Sequence, residues 1–197
     1  MLGINSYTYM WSIGFRGANS AYPDKAAYPQ NPLTALDLLV KARQLGVRLV
    51  QTGPNLPIDA LPAKMLDKFI GMAGDEGIRL ELGTRGLDLD HLTRQAYLAK
   101  RLGATLIRTV PEIKCNPITD YKELIPALRA LLPMLAGEGV KIALENGRIP
   151  AVDLHQALDE VGSPMVGITL DMVNSLAVPE GWREVTRQLA PYTMCVH

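Results

Sequence analysis

Apolar and polar positions along the chain repeat one phrase. An amphipathic helix ends on glycine, and four or five apolar, often β-branched residues follow at once. The phrase occurs in Lys41–Gly53 (KARQLGVRLVQTG), Met72–Thr84 (MAGDEGIRLELGT), Ala99–Val110 (AKRLGATLIRTV) and Met134–Gly147 (MLAGEGVKIALENG). Ala157–Asp171 is a looser copy, and Val185–His197 carries Pro191 in place of the glycine. Glycine takes the left-handed conformation that closes a helix and turns the chain. The apolar run after it is what a buried parallel strand requires. Leu36, Leu39, Val40 and Leu45 fall near one helix face, as do Leu124, Leu128, Leu131 and Leu135. Asn31, Asp59, Asp90 and Thr119 read as helix caps, and Pro126 and Pro133 predict a break or kink in the helix they interrupt.

With Leu2–Trp11 as the first strand, the pattern gives seven strands and six intervening helical segments. Strict alternation implies parallel strands, in an open doubly wound sheet or a closed (β/α)8 barrel. No Gly-x-Gly-x-x-Gly follows the first strand, so the dinucleotide fingerprint of the open sheet is missing. Polar residues recur instead at strand ends: Asn5, Gln51, Glu81, Arg108, Glu145, Asp171 and His197. A barrel builds its active site from such a ring. The fold class expected is therefore a (β/α)8 TIM barrel, incomplete, with about seven strands present. A full barrel takes about 250 residues. Residues 1–197 are thus expected to form a single barrel domain lacking its C-terminal βα portion. Open strand edges predict marginal stability or homo-oligomer formation. The loop Ser12–Pro32, rich in Pro and Tyr, is either a substrate-covering lid or a mobile surface loop.

Composition narrows the function classes. The formal net charge is zero and no Lys/Arg run occurs, which gives no footprint for nucleic acid or an anionic membrane. No apolar run approaches the roughly 20 residues that span a bilayer, and the start lacks the features of a signal peptide. Two cysteines, Cys115 and Cys195, are too few for a disulfide framework, and a reducing, cytoplasmic setting fits them. Cys195 reads as a buried free thiol.

Three metal-competent side chains stand where successive strands end, 26 and 26 residues apart: Glu145 in IALENG, Asp171 in GITLDMVNS and His197 in MCVH. Two carboxylates and an imidazole converging on one barrel mouth suit a divalent ion such as Mn, Mg, Co or Zn. Each residue also has a plain reading. Glu145 could pair with Arg148 or cap the next helix, Asp171 could be an N-cap, and His197 could be a frayed terminal residue. Arg108 could meet a substrate carboxylate or phosphate, or form an ion pair with Glu81 or Glu112. Glu81 could face the mouth or pair with Arg79 or Arg85. Tyr7 and Trp11 could wall a sugar pocket or serve the core. His91 and His155, in first helical turns, read as solvated or capping.

LGINSYTY, ALENG, GITLDMVNS and the final VH together resemble the xylose-isomerase-like TIM barrels, which include sugar-phosphate isomerases/epimerases and ketose 3-epimerases. The resemblance runs over essentially the whole chain. It implies one divalent metal held by Glu145, Asp171, His197 and a glutamate on an eighth strand that this sequence does not contain. It also implies Glu145 as an acid/base residue moving a proton through a cis-enediolate, and Asn174 as a substrate contact. Relatives with extra metals often carry histidine three residues after the strand-six aspartate; this chain has Asn174 there, which argues against a trinuclear zinc site. The implied function is a metal-dependent isomerase/epimerase of carbohydrate metabolism acting on a sugar or polyol. A polyol dehydratase/lyase and a non-catalytic sugar-binding or assembly barrel are its rivals.

Overall fold

The glycines that end the helical phrases adopt the conformation the pattern requires. Gly46, Gly77, Gly103, Gly139 and Gly162 all have φ between 59° and 68°. The structure, a computed structural model, describes residues 1–14, 29–114 and 116–197. Most of the Ser12–Pro32 loop and Cys115 lie outside the described residues.

The chain forms two compact units. The first comprises Met1–Gly83 with Leu102–Ala104. It holds three parallel strands, β1 (Ile4–Asn5), β2 (Leu49–Thr52) and β3 (Arg79–Gly83), with Val50 opposite Ile4 and Leu80. Helices α2 (Ala35–Gln44) and α3 (Ala63–Asp75) bury Leu38, Leu39, Ala42, Leu66, Phe69 and Ala73. The first strand is shorter than its sequence predicts. The Asn5 side chain accepts from Thr8 N–H at 3.1 Å and caps a 3-10 turn, Ser6–Tyr9, which runs into the short helix α1 (Met10–Ile13). Helix α2 opens not on Asn31 but on Thr34, which exchanges hydrogen bonds with Asp37 in a capping box.

The second unit comprises Thr84–Arg101 and Thr105–His197. Four parallel strands run in the order β4 (Leu106–Thr109), β7 (Lys141–Glu145), β8 (Val166–Leu170), β9 (Thr193–Val196). A small hairpin, β5 (Glu112–Ile113) with β6 (Asn116–Pro117), follows β4. The helices are α4 (Leu89–Leu102), α5 (Tyr121–Glu138), α6 (Ala151–Val161), α7 (Met172–Leu176) and α8 (Gly181–Leu189). Helix α5 runs on through Pro126 and Pro133 rather than ending at them. Both prolines lie on its exposed side, where water can take the carbonyls they leave unbonded, while Leu124, Leu128, Leu131 and Leu135 carry the buried stripe.

Among the described residues, seven parallel strands alternating with helices make this an incomplete (β/α)8 barrel. Among the described residues, no helix is long and apolar enough to cross a membrane.

Candidate metal centre

Strand parity explains why three residues far apart in sequence share a face. Glu145 pairs with Thr169 across β7 and β8, and Asp171 lies two residues beyond Thr169. Thr169 pairs with Cys195 across β8 and β9, and His197 lies two beyond Cys195. Arg108 pairs with Ala143 across β4 and β7, two residues before Glu145. Side chains alternate with period two, so Arg108, Glu145, Asp171 and His197 all leave the sheet on one side.

A β-bulge sets the parity of His197. Ile168 pairs with Thr193 but Thr169 pairs with Cys195, so Met194 is an extra residue on β9. Without it, Val196 would stand opposite Asp171 and His197 would point the other way. Gly167 leaves the room this requires: a Cβ there would lie 2.5 Å from the Tyr192 carbonyl oxygen and 2.7 Å from Met194 Cε. His197 is not frayed. Its N–H donates to the Leu170 carbonyl at 2.9 Å, and its carbonyl accepts from Met172 N–H at 3.0 Å.

One ligand atom each from Glu145, Asp171 and His197 lie within 4.8 Å of one another. An ion bonding N and O at roughly 2.0–2.2 Å bridges donors up to about 4.4 Å apart. A shift of a few tenths of an ångström would therefore seat one. The donors, two carboxylates and an imidazole, fit a divalent cation. Asp171 is at the same time the N-cap of α7, accepting from Asn174 N–H at 2.8 Å through Oδ1. A carboxylate has lone pairs enough for both tasks.

Glu145 pairs with Arg108, whose Nε donates to Glu145 Oε2 at 2.6 Å and whose Nη2 closes on the same oxygen. His197 Nδ1 stands 3.5 Å from that oxygen. The Arg108 and Glu145 side chains are only 10% and 12% exposed, so the pair is largely desolvated. Burial pushes the Glu145 carboxyl up, but the His197 hydrogen bond and the Arg108 charge outweigh it and hold the group below the ordinary glutamate value.

The partners suggested for Arg108 in the sequence are engaged elsewhere. Glu112 pairs with Arg85, and Glu81 accepts from Gln51 Nε2 at 3.1 Å. His91 Nε2 lies 2.7 Å from Thr84 Oγ1, and His155 Nδ1 lies 2.9 Å from the Gln188 carbonyl. Asn174 is half-buried and donates through Nδ2 to the Asn146 carbonyl at 2.8 Å. Tyr7 and Trp11 belong to the first unit, on the 3-10 turn and α1, and Trp11 is 54% exposed. Cys195 is half-buried rather than buried, with Sγ 3.1 Å from Thr169 Oγ1.

The sequence reading passes over Asn146. It is buried, and its Oδ1 accepts from Asp171 N–H at 2.6 Å while its Nδ2 donates to the Asp171 carbonyl at 3.3 Å and to Ser175 Oγ at 3.1 Å. Its one visible signal was an amide directly after the strand-end glutamate in ALENG.

The chain is 31% identical to the 3-oxo-isoapionate decarboxylase of Pectobacterium atrosepticum over 197 residues, covering 100% of this chain and 67% of the relative. A xylose isomerase-like TIM barrel protein from Mycobacterium smegmatis, solved in complex with magnesium, superposes with TM-score 0.69 at 18% identity, over 98% of this chain and 72% of that one. D-psicose 3-epimerase, solved in the presence of D-fructose, gives TM-score 0.67 at 16% identity, over 81% of this chain and 65% of that one. The chain thus spans about two thirds of the length of these relatives. The model of one family, described as xylose isomerase-like TIM barrel, matches residues 12–197, and the chain belongs to that family.

Proposed function

We propose that Glu145, Asp171 and His197 hold a divalent metal, Mn, Mg, Co or Zn, in an enzyme that acts on a sugar or sugar-derived oxo compound through an enediolate. The observation that carries this reading is the convergence of three ligand-competent atoms from three successive strands within 4.8 Å. When bound, the ion supplies Lewis acidity at the carbonyl and hydroxyl oxygens of a hydroxyketone. Asp171 and His197 act as ligands only. Glu145 is ligand and proton acceptor, kept ionised by Arg108. In the isomerase/epimerase reading, Glu145 removes the proton beside the carbonyl and a second acid returns one. Asn174, Arg108, Tyr7 and Trp11 are the proposed substrate contacts. Residues 1–197 form the larger part of one barrel domain of a cytoplasmic enzyme of carbohydrate metabolism, with its last βα portion outside this chain. Its partner is a small sugar or polyol, not nucleic acid or a membrane.

A second reading, a lyase, is favoured by the likeness to a decarboxylase along the whole chain. Loss of CO2 from a 3-oxo acid gives an enolate, an enediolate where C2 carries a hydroxyl, without removal of a C–H proton. Such chemistry suits a Glu145 whose basicity Arg108 restrains, and the guanidinium is a fitting contact for an acid substrate.

The test offers the Mn2+-loaded chain two probes, D-fructose in D2O and a 3-oxo sugar acid. Deuterium entering beside the fructose carbonyl, lost in Asp171→Asn, supports the isomerase/epimerase. CO2 release from the oxo acid without exchange supports the lyase. Binding of either probe with neither exchange nor CO2 release favours the non-catalytic barrel.

A further inference from the structure

We infer that Asn146 is a positioning residue that fixes the distance between Glu145 and Asp171; this rests on the metal reading above. The β7–β8 ladder runs to Asn146 N–H, which donates to the Thr169 carbonyl at 3.4 Å. In a regular parallel ladder the next rung takes the following backbone groups of β7 to the N–H and C=O of Asp171. Here one side-chain amide supplies that rung. Asn146 Oδ1 accepts from Asp171 N–H at 2.6 Å, and Nδ2 donates to the Asp171 carbonyl at 3.3 Å. An amide is the side chain that can do both, since it carries an acceptor and donors together.

Four further bonds close the arrangement. The Asn146 carbonyl, released from the ladder, accepts from Asn174 Nδ2 at 2.8 Å. The Asp171 carboxylate accepts from Asn174 N–H at 2.8 Å. Ser175 Oγ accepts from Asn146 Nδ2 at 3.1 Å and donates to the Asp171 carbonyl at 2.6 Å. Asn146 and Ser175 are both buried, so this ring competes little with water. Asn146 is covalently next to Glu145 and grips both backbone groups of Asp171. A single residue therefore ties two of the three proposed ligands. Neighbours that orient metal ligands commonly set affinity over roughly 10–100-fold.

The test compares the unmodified chain with Asn146→Ala and Asn146→Gln. Gln keeps the amide but moves it by one methylene, so a merely polar role is rescued by it and a positioning role is not. The readouts are Mn2+ affinity, the visible spectrum of bound Co2+, and hydrogen exchange of the Asp171 N–H without metal. The expected result is faster Asp171 exchange in both variants, Mn2+ affinity lower by roughly 10–100-fold, and an altered Co2+ spectrum. Leu124→Ala, which opens a cavity under α5 away from the ring, should lower the melting temperature without changing the Co2+ spectrum. Should Asn146→Ala fail to fold, the isosteric Asn146→Asp, which keeps the acceptor and loses the donor, carries the same readouts. Unchanged exchange and affinity in the variants overturn the inference alone. An unmodified chain that binds neither ion overturns the metal reading and the inference with it.

Discussion

Glu145 and Arg108 show how a single contact divides two roles between a ligand and its neighbour. Both are largely desolvated, and removing one charge strands the other. Glu145→Gln is expected to destabilise the chain by about 3 kcal/mol, the usual cost of breaking a buried pair from one side. Urea denaturation measures this, and adding Arg108→Met should recover most of the loss. A Glu145→Gln chain as stable as the parent would mean that the pair is not closed in solution. This pairing was not legible in the sequence. A charged residue after an apolar run marks a strand end, so Arg108, Glu145, Asp171 and His197 could each be found. Which ones meet depends on register, and the pair is 37 residues apart. Asn146 escaped for a related reason: it grips the backbone N–H and C=O of Asp171, which have no sequence signature.

At the scale of elements, helix-glycine-strand punctuation was legible because its cause is local. The β9 bulge was not. It arises where the 3-10 turn Ala190–Tyr192 delivers the chain to β8 one residue out of phase with the His197 parity. Gly167 admits that turn, and a methyl group there would meet backbone that cannot yield cheaply. Gly167→Ala is therefore expected to cost about 2 kcal/mol and to weaken Mn2+ binding by moving β9. A thermal melt and a metal titration read the two effects separately. Unchanged values for both would remove the bulge from the account of the site. The first strand also resisted reading: LGINSYTY alternates like a strand, yet the Asn5 side chain captures the Thr8 N–H and winds the chain into a turn. The continuity of α5 through two prolines has the opposite cause, since the buried leucine stripe outweighs two missing donors on a wet face.

For the whole molecule, the sheet formed by the described residues ends on β9. In the sheet order β9 stands last beside β8, and Val196 on it is 61% exposed. An unpaired edge of this kind recruits another strand. The chain made alone is expected to self-associate in sedimentation experiments, and Val196→Lys should suppress it. A clean monomer with a cooperative melt contradicts this. The metal centre is read by a Mn2+ titration by calorimetry, on the unmodified chain and on Asp171→Asn. Asparagine still caps α7, so the variant should melt like its parent. One Mn2+ per chain with micromolar affinity is expected, lost in the variant. A folded parent that takes up no Mn2+, or a variant that binds it equally well, would mean that Glu145, Asp171 and His197 do not form a metal site.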